Sequence, residues 1–118
     1  MLKKYFNRFP HAMRGIVHAF VNDFGYRTQI YLGLAIAVVL LAFFRPISAY
    51  EFLFIAFSYS LILITELQNS ALEIALDRLH PEIHDDIKHS KDMAAGAVLT
   101  ASMFLILVIS VIGFGKFF

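Results

Sequence analysis

Residues 52–78 read FLFIAFSYSLILITELQNSALEIALDR. Positions 52–65 carry no charge, and the segment then runs without a Gly or Pro into Glu66, Asn69, Ser70, Glu73 and Asp77. At about 3.6 residues per turn those polar side chains share one side of a helix, while Ala71, Leu72 and Ala75 fall on the other. An apolar run fit to enter a bilayer thus ends in an acidic stripe. Lipid cannot satisfy such a stripe, so it must face other protein, a water-filled cleft or a ligand. Ionisable groups inside a span mark functional sites by default. An isolated Asn or Ser in a span usually does no more than tie helices together. Several polar groups on one face, two of them Glu, favour the functional reading.

The whole chain agrees with a membrane setting. It has 118 residues, enough for one domain. Of these, 59% are hydrophobic and 16% charged, against about 45–50% apolar and about 25% charged in a soluble domain. The net charge of +1 argues against a nucleic-acid binder. The absence of Cys excludes a disulfide framework, a thiolate nucleophile and a Cys-based metal site. Residues 1–27 are studded with charge and do not read as a signal peptide, so the whole chain is read as mature.

Working outward, the pattern predicts an all-α membrane protein that forms a single domain over residues 1–118. An N-terminal amphipathic surface helix spans about 1–26, with Ile16, Ala19, Phe20 and Asp23 at helical spacing and Pro10 starting or kinking it. Three spans follow, at about 28–46, 50–79 and 91–115. Arg45-Pro46 marks the first turn and His80-Pro81 ends the second span. Residues 80–91 read as a polar linker, with Ser90 as N-cap of the third span. That span opens with the small residues AAGA at 94–97, which let helices approach closely. Lys and Arg cluster before the first span (Lys3, Lys4, Arg8, Arg14, Arg27) and after the second (Arg78, Lys88, Lys91), leaving Arg45 and Lys116 for the other side. The positive-inside rule then puts the N-terminus and the 80–91 linker in the cytoplasm.

The stripe suits two tasks. Carboxylates one or two turns apart can hold a hard divalent cation through oxygen, or one of them can serve as a general base. Asp23, at the end of the surface helix and at the same membrane level, is a further candidate ligand. Asp77 reads as a solvated bystander. Lys91-Asp92 has an ordinary reading, an anchor and a helix-start acid, and a functional one, a phosphate-binding Lys with an acidic partner. His11, His18, His80, His84 and His89 show no metal-ligand spacing, and no Walker loop or GxGxxG is present. One alternative is a small proton-coupled transporter using Glu66 or Glu73 as its proton site, which would have no need of the Lys91-Asp92 pair.

ELQNSALE at 66–73 together with KDMAAGAV at 91–98 resembles the prokaryotic diacylglycerol kinase family, which includes the undecaprenol kinases. The resemblance covers nearly the whole chain. It implies transfer of the γ-phosphate of ATP, with Mg²⁺, to a lipid alcohol (diacylglycerol or undecaprenol) at the cytoplasmic face of the inner membrane. The product would feed phospholipid or undecaprenyl phosphate metabolism. It also implies a homotrimer with sites between subunits. By position, Glu66 matches the general base, and Glu73 and Asp23 match the metal ligands. Lys91, Asp92, Glu82 and His84 match nucleotide contacts, together with Asn69, Asp23 and Glu73. Glu66, Ser70 and Gln29 match the lipid side. The chain departs from the family pattern at Asp23, usually Glu, at Gln29, usually acidic, and at His11, where some members have Tyr. The AAGAV variant and the Phe-rich spans lean toward undecaprenol.

Overall fold

A computed structural model describes all of Met1–Phe118 as four helices and no strand. α1 covers Leu2–Asn22, α2 Phe24–Phe43, α3 Ala49–Leu79 and α4 Asp85–Phe117. The last three are long and apolar enough to cross a membrane. α1 is a different object. Lys3, Lys4, Arg8 and Arg14 occupy one side and Leu2, Phe6, Phe9, Met13 and Phe20 the other, with no acidic residue in the helix. That is the pattern of a helix lying in the interfacial plane of a bilayer.

The expected surface helix runs to about residue 26, but α1 stops at Asn22. Asp23 takes an extended conformation (φ −106°, ψ 110°), and its side chain accepts the Gly25 N–H at 3.0 Å. Asp is a strong N-cap, because its carboxylate satisfies an amide the new helix leaves unpaired. The break therefore falls at Asp23, and α2 starts at Phe24 rather than near 28. Pro10 sits inside α1 without breaking it.

The largest difference is at α4. It begins at Asp85, not at 91, which reduces the linker to residues 80–84. The cap is His84, whose Nδ1 accepts the Asp86 N–H at 3.1 Å, and Asp85 and Asp86 fill the acidic first turn that a helix dipole favours. Ser90 is consequently inside α4, and Lys91-Asp92 lies in its second turn. At the other end, Ser48 and Glu51 form a reciprocal capping box at the start of α3, with bonds of 3.1 and 3.0 Å.

α3 and α4 form the principal antiparallel pair, with α2 laid against α3. The core is small: Ile62, Ala101 and Leu105 are buried together, and Ile36, Ile55 and Tyr59 pack on them. Ser58, fully buried, returns its hydroxyl to the carbonyls of Phe54 (2.8 Å) and Ile55 (3.1 Å). Only 9 of the 118 residues are buried, so most of the apolar surface faces outward, as expected where lipid or other subunits are the surroundings. Two positions on α2 are tied to α3 by the lack of a side chain. Gly33 faces the Tyr59 ring and hydroxyl, and Gly25 faces the Glu66 carboxylate. The Tyr59 hydroxyl donates to the Gln29 carbonyl at 3.0 Å, a contact a Cβ at residue 33 would obstruct.

Candidate active site

The polar stripe of α3 meets the α1–α2 break. Asp23 is held there by its capping role, and its second carboxylate oxygen accepts the Ser70 hydroxyl. This contact joins residues 47 positions apart in sequence and fixes the stripe to the break. Glu66 lies one turn earlier on α3. It is the only buried charged residue, with Oε1 seated against the Gly25 backbone. Asn69 follows on the same helix, and its Oδ1 is buried without a hydrogen-bond partner.

Between α1 and α3 opens a cleft of about 750 Å³. Asp23, Ser70, Glu73 and Asp77 form its acidic side, and His18 and Asn22 face them from α1. The Asn22 amide lies against both the His18 ring (3.2 Å) and the His18 carbonyl (3.0 Å). Asp77 remains largely exposed, as expected, and its carboxylate pairs with Lys91 of α4, which brings that ammonium to the edge of the cleft.

The expected site residues separate into three groups, with Gln29 apart from them. Asp23, Glu66, Ser70 and Glu73 come together, and Asn69 lies beside them. Lys91 joins them only through Asp77, and Asp92 is exposed on the next position of α4. Glu82 and His84 line a different depression of about 390 Å³ with His80, Pro81 and Asp86. Gln29 contributes its backbone carbonyl to Tyr59. Gly25, Tyr59, His18 and Asn22 are parts of this region that the sequence reading did not single out. Only Gly25 had a local signal, a Gly two residues after an N-cap Asp.

No three His, Asp or Glu side chains converge as a self-sufficient metal cage. Mg²⁺ does not require one. It keeps several waters and is usually held by one or two carboxylates together with substrate phosphates. Asp23 and Glu73 lining one cleft meet that requirement, since each carboxylate retains lone pairs beyond those used within the protein. Asn69, one turn before Glu73 on α3, has an unpartnered Oδ1 but does not line the cleft.

Residues 10–113 match the family described as prokaryotic diacylglycerol kinase. The chain is 30% identical over 92 residues to a diacylglycerol kinase of Escherichia coli, covering 77% of this chain and 73% of that protein. It is 32% identical over 97 residues to an undecaprenol kinase of Bacillus subtilis, covering 82% and 77%. A Synechocystis diacylglycerol kinase is 33% identical over 101 residues, which are 85% of this chain but only 57% of that protein's length. The transporter alternative has no counterpart in these similarities. The three membrane helices, the acidic face of α3 and the matched residues agree: the chain belongs to the prokaryotic diacylglycerol kinase family of lipid kinases.

Proposed function

We propose that the chain transfers the γ-phosphate of ATP to the hydroxyl of a membrane lipid alcohol, diacylglycerol or undecaprenol, at the cytoplasmic face of the inner membrane. The observation that carries this reading is the buried Glu66 carboxylate, seated against Gly25 beside the Asp23–Ser70 contact. A carboxylate so placed is costly unless it is used, and in this reading the lipid hydroxyl reaches it from the bilayer.

In this reading Glu66 accepts the proton of the lipid hydroxyl. The lipid oxygen forms its bond to the γ-phosphorus as the bond from that phosphorus to the β-phosphate oxygen breaks. The proton rests on Glu66 and ADP departs. Such a transfer depends on positioning and on charge stabilisation across the phosphoryl oxygens. Asp23 and Glu73 would hold Mg²⁺, which supplies positive charge to the phosphates when bound. Ser70 fixes the Asp23 carboxylate, Asn69 offers an amide to the same region, and Lys91 provides a cation from α4. Asp92, Glu82 and His84 are assigned to the nucleotide, and Gln29 to the lipid side. Completion of the site by neighbouring subunits, as a homotrimer, agrees with the small buried fraction of the single chain. The Lys and Arg distribution supports a cytoplasmic N-terminus and linker.

The test is phosphoryl transfer by purified protein in mixed micelles with γ-labelled ATP, Mg²⁺ and each lipid in turn. Label should appear in at least one lipid, and direct competition between the two identifies the preferred one. No transfer to either, or to a related lipid alcohol, would overturn the reading.

A further inference from the structure

Lys91 and Asp77 meet near the linker end of the α3–α4 pair. Asp77 lies in the last turn of α3 and lines the α1–α3 cleft, whereas Lys91 is on α4 and does not line it. The ammonium therefore stands at the edge of the cleft through its contact with the Asp77 carboxylate. The two helices are otherwise joined here by the five residues 80–84, whose one side-chain hydrogen bond, accepted by His84 from the Asp86 N–H, stays local.

Two properties of the pair decide what it is for. Its side chains remain 33% and 66% exposed for Lys91 and Asp77, and exposed ion pairs contribute little to stability. A free Lys, by contrast, has a long flexible stem whose rotamers must be restricted before its charge is useful at one place. A partner that confines the stem removes that cost before the ligand arrives. Asp77 also has a cost, since it adds negative charge to a cleft that already holds Asp23 and Glu73. A carboxylate at that position opposes a polyphosphate unless a cation accompanies it.

We propose that Asp77 is a positioning residue for nucleotide binding: it holds the Lys91 ammonium at the mouth of the α1–α3 cleft, ready for the phosphate chain of ATP. The inference rests on the lipid-kinase reading above, in which Lys91 is a nucleotide contact. Asp77 touches neither substrate. It acts through Lys91, so its removal raises the KM for Mg-ATP while chemistry at Glu66 continues.

The experiment uses the full-length protein in mixed micelles, with steady-state kinetics for Asp77→Asn, Asp77→Glu, Lys91→Ala and the double variant Asp77→Asn/Lys91→Ala. Asp77→Asn should raise the KM for Mg-ATP about five- to ten-fold, leave kcat within about two-fold and leave the KM for the lipid and the melting temperature unchanged. Asp77→Glu, which keeps the charge, should recover most of the loss. In the Lys91→Ala background Asp77→Asn should add nothing, because its effect passes through that side chain. An unchanged KM for Mg-ATP in Asp77→Asn, or a lowered one, would overturn the proposal, the latter by making Asp77 a competitor for Lys91. A fall in melting temperature that Asp77→Glu does not repair would make the pair structural and also overturn it. If Lys91→Ala binds Mg-ATP as the wild type does, the nucleotide assignment of Lys91 fails, and this inference with it. Impairment by Lys91→Ala without impairment by Asp77→Asn overturns this inference alone.

Discussion

The Oε1 atom of Glu66 occupies the space into which a Cβ on residue 25 would project, so Gly25 is the seat of the buried carboxylate. The same Cβ would stand 3.4 Å from Oδ1 of Asp23, which the α2 cap already engages. One missing side chain thus lets the candidate base and a candidate metal ligand share a corner. The obstructing atom is the tip of a flexible side chain, so a substitution here would displace the carboxylate before it displaced the helix. Gly25→Ala should leave the melting temperature within a few degrees of wild type. Its kcat should fall roughly 10- to 100-fold, since displacements of about 1 Å at a reacting group have effects of that size. Kinetics and thermal unfolding on one preparation check both halves.

Replacing the carboxylate itself gives a sharper outcome. Glu66→Gln retains shape and hydrogen-bonding capacity but cannot take up the lipid proton. We expect kcat to fall by about 10²- to 10⁴-fold, the range attributed to general-base catalysis. The size-exclusion profile should match wild type. Full activity in this variant would remove Glu66 from the base role.

The Ser70 hydroxyl donates to the Asp23 carboxylate. Loss of a group that orients a metal-holding carboxylate typically weakens metal binding by about 10- to 100-fold. Ser70→Ala should therefore raise the Mg²⁺ concentration for half-maximal activity by about ten-fold, and saturating Mg²⁺ should restore most of the rate. Ser70→Thr keeps the hydroxyl and should behave nearly as wild type. A Mg²⁺ titration of the three proteins distinguishes these outcomes.

Farther from the stripe, Gly33 and Tyr59 form the second close approach between α2 and α3. A methyl at 33 would meet ring carbons as well as the hydroxyl, and overpacking of this kind costs about 1–3 kcal/mol. Gly33→Ala should lower thermal stability accordingly, and Tyr59→Leu in the same chain should restore much of it. Tyr59→Phe alone gives up the bond to the Gln29 carbonyl, worth about 0.5–1.5 kcal/mol. Melting temperatures of the three variants and the wild type in a fixed detergent provide the check.

The spans were legible in the sequence because twenty or so apolar residues without charge have few other uses. The acidic face of α3 was equally legible, since periodicity alone collects Glu66, Ser70 and Glu73. Boundaries were less so. Asp23 looked like one more polar residue in a helix, although the Asp-Phe-Gly spelling around it is that of a cap followed by a tight first turn. Asp85-Asp86 is likewise a helix-start signal, hidden within a stretch whose His and Lys content reads as linker. What could not be read was pairing across the fold. The Ser70–Asp23 contact and the seats at Gly25 and Gly33 depend on how α2 lies against α3, and Asp77–Lys91 depends on where α4 begins. A glycine shows that something approaches closely, without naming the visitor.

The long α3–α4 pair is clasped near each end by a lysine and a carboxylate, Lys91 with Asp77 and Lys116 with Glu51, the latter at 3.4 Å. From residue 51 to residue 77 the helix rises about 39 Å, at roughly 1.5 Å per residue. A bilayer's hydrocarbon core is about 30 Å thick and its full depth with headgroups about 40–45 Å. The separation of the two ion pairs thus matches the distance between opposite headgroup layers, the length a spanning helix pair needs to keep its charges out of the hydrocarbon.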